Sequence, residues 1–101
     1  MKATFKSIGE TSFHDSVVSE TLANLISVLG EPNYSGNDGE DKVNFEWEME
    51  TEDGTVFTVY DWKEYRSISD HEVVEWHIGG KSRSDTEKAR QEIFNALFNK
   101  K

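Results

Sequence analysis

Val43, Phe45, Trp47 and Met49 alternate with Asn44, Glu46, Glu48 and Glu50. A two-residue period of this kind restricts the segment to a strand with one buried and one wet face. A second β-branched and aromatic run, Thr55 to Trp62, follows after Glu52-Asp53-Gly54, so the two runs read as a hairpin. If the loop is three residues long with Gly54 left-handed, Met49 faces Phe57 and Trp47 faces Val59, and every large side chain of the first strand meets an apolar partner. A two-residue Asp53-Gly54 turn would instead leave Phe57 and Val59 among glutamates, so the first register is the expected one. It gathers Glu46, Glu48, Tyr60 and Trp62 on the opposite face.

The remaining elements follow from periodicity and punctuation. Leu22, Leu25, Ile26 and Leu29 share one helical face, which predicts a helix over Ser19 to Leu29, capped by Ser19 and ended by Gly30 and Pro32. Glu31 to Asp41 is rich in turn formers and reads as an exposed connection, and Lys63 to His71 is polar and irregular. Val73 to Ile78 reads as a strand with Val74, Trp76 and Ile78 inward and Glu75 and His77 outward, stopped by Gly79 and Gly80. A second helix is expected over Ser84 to Phe98, with Ser84 and Glu87 as its capping box and Ala89, Ile93, Ala96 and Leu97 on its apolar side, widened by Phe94 and Phe98. Ala3 to Ile8 offers an added edge strand. The sum is a single α+β domain over residues 1–101, with a three- or four-stranded antiparallel sheet and two helices packed on one face.

Composition limits what such a domain does. Its 101 residues suit one core, and the absence of cysteine removes disulfides, thiolate metal sites and thiol nucleophiles. No apolar run has the length of a signal-peptide core or a membrane span, so a protein free of the membrane is expected. Eleven basic residues against twenty acidic ones leave a net charge of -9, which disfavours direct binding of nucleic acid or anionic lipid.

Two constellations carry the candidate chemistry. Tyr60, Trp62 and His77 on the outward sheet face are costly to leave in water, about 1.5 to 3 kcal/mol for each large side chain. Either the N-terminal segment or a homodimer partner covers them, or they form a binding face that stacks a planar ring. Gly79-Gly80-Lys81-Ser82-Arg83-Ser84 then leads into a helix N-terminus, an arrangement suited to an anion. Glu75 stands where a phosphate-binding loop of the Walker type would need its first glycine, so that motif is rejected. Tyr60, Trp62, Lys63, His77, Gly79, Gly80, Lys81 and Arg83 therefore form the expected contact set for a nucleotide-like ligand, with rings on the sheet and phosphates at the helix start. An enzyme would need His77 or Asp61 as acid or base, but no catalytic residue, metal site or cofactor is assigned. The alternative is an acidic inhibitor that mimics DNA and blocks a host DNA-binding or nuclease protein through Glu46, Glu48 and Glu50, whose carboxylates repeat every 6.6 to 7 Å or so along a strand, like nucleic-acid phosphates.

The strings Gly30-Glu31-Pro32, Glu46-Trp47, Asp53-Gly54-Thr55, Tyr60-Asp61-Trp62-Lys63 and Glu75-Trp76-His77-Ile78-Gly79-Gly80 together resemble a family of small, mostly uncharacterised bacteriophage proteins. The resemblance runs from about Gly9 to Gly80 and carries no assigned activity. It implies expression in the cytoplasm of an infected bacterium. The expected role is non-catalytic binding in host takeover or counter-defence, against a small nucleotide-like ligand or a host bacterial defence protein.

Overall fold

The computed structural model describes residues 1–99. It is α+β: an antiparallel sheet with both helices on one side. In chain order the elements are β1 (Lys2–Ala3), β2 (Ser12–Thr21), α1 (Leu22–Leu29), β3 (Tyr34–Ser35), β4 (Phe45–Glu50), β5 (Val56–Tyr60), β6 (Val73–Gly80) and α2 (Arg83–Asn99). The sheet runs β1-β4-β5-β6-β2, and β3 shares the outer edge of β4 with β1.

The hairpin has the expected register, with Met49 opposite Phe57 and Trp47 opposite Val59. Its loop is Glu52-Asp53-Gly54, closed by Thr51 N–H to Thr55 O at 2.9 Å. Gly54 lies at φ 87°, a left-handed value that a side chain would oppose. On the inner face Trp47 and Trp76 meet edge to face at 5.5 Å, a geometry worth about 0.5 to 1.5 kcal/mol beyond area burial. Both indole N–H groups are satisfied, Trp47 Nε1 donating to Gly30 O and Trp76 Nε1 to Glu20 O. Leu22, Leu25 and Leu29 of α1 and Ala89 and Ile93 of α2 close the same core.

Four expectations need correction. Residues Ser19 to Thr21 end a ten-residue strand rather than begin a helix, and Thr21 is the cap, its Oγ1 accepting from Asn24 N at 3.2 Å. That strand, β2, pairs with β6 and carries a bulge: Phe13 faces Gly79 but Val17 faces His77, with Asp15 between them at φ 68°. The bulge adds two residues to β2 and so keeps its parity, with His14, Ser16, Val18 and Glu20 inward; three of these four are polar, and no apolar alternation marks the strand. Gly79 and Gly80 do not stop β6; they are its last two residues, paired with Phe13 and Ser12 on one side and with Thr58 and Phe57 on the other. A Cβ at Gly79 would collide with Thr58 Oγ1, and one at Gly80 would lie 2.8 Å from Thr86 Cγ2, so these glycines serve close packing and not a turn. Helix α2 starts one residue early and is capped by Ser82, whose Oγ accepts from Asp85 N at 3.2 Å; Glu87 instead meets Ser16 Oγ. Phe98 does not widen the apolar stripe, being mostly exposed.

The N-terminal edge strand is Lys2–Ala3 only, paired to Glu50 and Met49. That pairing lies along the edge of β4, while Phe13, further along in β2, packs its ring on His77 of the outer face. Among the described residues no helix is long and apolar enough to cross a membrane.

Candidate functional site

Pairing across the outer face sets one row of side chains: Tyr34 on β3, Glu46 on β4, Tyr60 on β5, His77 on β6 and Val17 on β2. The next row holds Glu48, Thr58, Gly79 and Phe13. Because Gly79 has no side chain, Phe13 can lean over towards His77, and the two rings stack at 4.1 Å with planes 17° apart. Trp62, just past the end of β5, also stacks on His77, at 6.4 Å and 29°. Tyr60 stands edge-on to both, 5.5 Å from His77 and 6.2 Å from Trp62. Phe13 and Trp62 stay 39% and 41% exposed, so the row ends in water at both sides.

The position of Trp62 is set by its neighbour. Asp61 is fully buried, and its carboxylate accepts from Asn44 N at 2.8 Å, Phe45 N at 2.9 Å and Asn44 Nδ2 at 3.1 Å. Asn44 also donates to Arg66 O and accepts from Gly39 N, so one buried amide ties three loop segments together. Lys63 and Tyr65 then adopt φ 56° and 51°, values that non-glycine residues hold only when the surroundings dictate them. Asp61, with both oxygens engaged and buried, is a framework group and not an exposed acid or base.

The same loop closure brings two cations to the rings. Lys63 N–H donates to Lys42 O at 2.7 Å, and the two ammonium groups lie 5.6 Å and 5.9 Å from the Trp62 centroid. Neither Lys42 nor Lys63 has a carboxylate within ion-pairing distance among the described residues. Their hold on the ring is weak, about 0.5 to 1 kcal/mol for an exposed cation–π contact. Lys42 also lines a shallow hollow with Tyr34, Asp41 and Val43.

Electrostatics on the face are graded. Burial pushes the Glu46 carboxyl above its ordinary range, helped by the charge of Glu48 and a hydrogen bond between the two side chains. Burial likewise raises the Tyr60 hydroxyl, with Glu46 adding to it. His77 is held below its ordinary value by burial, against the opposing pull of Glu75 and Glu64. The rings therefore sit over a face that resists charging.

The eight expected contact residues divide into two groups. Tyr60, Trp62, Lys63 and His77 come together. Lys81 lies four residues, about 13 Å, beyond His77 at the end of the sheet away from Trp62. Gly80 turns its open side to α2, on the helix-bearing face, and Arg83 pairs with Asp15 at 3.4 Å. The helix start is occupied by its own groups, the Ser82 cap and the Asp85 carboxylate in the first turn. Rings and helix N-terminus thus do not form one site. The acidic face also shortens: Glu46 and Glu48 remain half-buried on it, but Glu50 is buried, accepting from Thr4 Oγ1 at 2.8 Å and pairing with Lys2 and Lys6. Those partners hold its carboxyl below the ordinary range, the Thr4 hydrogen bond most of all.

Phe13, Lys42 and Tyr34 are the residues that sequence reasoning missed. Lys42 had a signal, as the one cation among eight acids between Asp38 and Asp53. Phe13 had none once its strand went unrecognised. Comparison of the chain with protein families, with curated proteins and with solved structures finds no match to any of them.

Proposed function

We propose that this protein is a non-catalytic binding protein whose working surface is the outer sheet face around Phe13, Tyr60, Trp62 and His77. The observation that carries this reading is the stacked row Phe13, His77, Trp62, held by a buried network yet left open to water at both ends. Phe13 and Trp62 keep about two fifths of their surface in water, and a ligand or partner that covers them gains the burial of that remainder. In the phage setting that the sequence resemblance implies, the bound component belongs to the host and the result is its sequestration or blockade. The acidic-mimic alternative keeps only Glu46 and Glu48, since Glu50 is already neutralised by Lys2 and Lys6.

Native mass spectrometry of protein purified from bacteria tests the reading. Wild type should retain a host component that the Phe13→Ser/Trp62→Ser variant loses. A control variant, Phe5→Ser/Phe98→Ser, removes two more exposed rings elsewhere and should retain it. Retention by the first variant, or loss in the control alone, would place the working surface elsewhere.

A further inference from the structure

The protein carries nine acidic charges in excess, and its other described lysines and arginines are mostly spoken for. Lys2 and Lys6 pair with Glu50, Arg66 with Glu64 and Glu72, Arg83 with Asp15 and Lys88 with Asp53, while Arg90 donates to Val17 O. Among the described residues Lys42, Lys63 and Lys81 are left without acidic partners, and the first two are brought to the one exposed tryptophan by a backbone hydrogen bond between them. With acids so abundant, unpaired cations at an exposed ring mark a place where the missing anion arrives with a ligand.

We infer that the Trp62 end of the outer face binds a nucleoside phosphate, its base stacked against Trp62 and its phosphates held by Lys42 and Lys63. This rests on the outer face being the working surface, and it replaces the helix N-terminus by two loop lysines as the anion-binding arm. The ammonium groups now over the indole are loosely held, so an incoming base displaces them from the ring and its phosphates take them up. Charge-assisted bonds from two lysines on separate loops to adjacent phosphates then outweigh the lost ring contacts. Among the acids near the lysines, Glu64 and Glu72 are engaged by Arg66 and the Asp41 carboxylate accepts from the Tyr34 hydroxyl at 3.3 Å, while Glu46 and Glu48 stay half-buried on β4. A nucleic-acid strand fits less well, since a long polyanion meets the net charge of -9 whereas one phosphate group meets only the local lysines.

Four probes separate the parts of this inference: ADP and GDP, adenosine as ring without phosphate, and inorganic pyrophosphate as phosphate without ring. Trp47 and Trp76 are buried, so quenching of exposed tryptophan emission reads Trp62. ADP or GDP should quench saturably, with at least tenfold higher affinity than adenosine or pyrophosphate. The Lys42→Ala/Lys63→Ala variant should abolish the advantage of ADP over adenosine without weakening adenosine. Both lysines are exposed, so the variant is expected to fold, as far-ultraviolet circular dichroism would check. No saturable quenching by ADP or GDP at millimolar concentration, or ADP no tighter than adenosine, overturns the inference. If that happens while Phe13→Ser/Trp62→Ser still loses a retained host protein, the outer-face reading survives without its nucleotide. If the double serine variant retains everything as well, both fall.

Discussion

Replacing Asp61 by Asn should unsettle the loop that presents Trp62, by an amount that can be worked from its hydrogen bonds. The amide oxygen can still accept from Asn44 N and Phe45 N, now without the charge that strengthens both. The new amide nitrogen points its hydrogens at Asn44 Nδ2, which loses its acceptor. One unpaired buried donor costs about 1 to 3 kcal/mol, and the weakening of the other two bonds adds about 1, so the expected loss is about 2 to 4 kcal/mol. For a domain of this size each kcal/mol is worth roughly 5 °C, which predicts a Tm about 10 to 20 °C lower by calorimetry. A double-mutant cycle locates the effect. In an Asn44→Ala background there is no amide to oppose, so Asp61→Asn should cost clearly less. An unchanged Tm, or the same cost in both backgrounds, would refute the assignment of Asp61 as the framework of this loop.

Other consequences follow from the same structure. Gly80→Ala should destabilise the protein by about 1 to 3 kcal/mol, because its Cβ would press on Thr86 and the start of α2, and urea unfolding would measure it. Glu46 carries a folded-state pKa above the unfolded one, so it binds protons more readily when folded, and its effect on stability worsens as pH rises through and above 4.5. Glu46→Gln should therefore stabilise at pH 7 and have no such advantage below about pH 4, where the unfolded carboxyl is protonated too. The His77 ring should titrate below 6.5 by NMR, because burial disfavours its charged form.

Much of the frame was legible because it rests on local rules. Strict alternation from Val43 to Glu50, a glycine at the one left-handed loop position and apolar partners on Thr55 to Trp62 together admit a single good register, and the structure has it. Strand β2 was not legible, because its inward positions His14, Ser16, Val18 and Glu20 are mostly polar and Ser19 and Thr21 imitate a helix start. Gly79 and Gly80 misled for a related reason. A glycine pair signals a turn in most sequences, but here it answers to the close approach of Thr58 and Thr86, residues far away in the chain. That misreading moved the anion-binding arm to Lys81 and Arg83. The ring face itself was visible from the outward parity of Tyr60 and His77, while Phe13 and Lys42 join it only through tertiary pairing. Glu50 was placed on the free acidic face by its alternation, which says nothing of the N-terminal strand that buries it.

The outer face as working surface is tested most directly by NMR of the isotope-labelled protein in unlabelled bacterial extract. Three indole N–H signals report three environments, since those of Trp47 and Trp76 are locked onto the carbonyls of Gly30 and Glu20 while Trp62 stands exposed. Binding at the rings should shift or broaden the Trp62 indole and the amides of Lys42, Lys63 and His77, and leave the other two indoles in place. A Trp62 signal unchanged in extract, with the response confined to Lys81–Asp85 or to the segment around Phe5, would contradict the account.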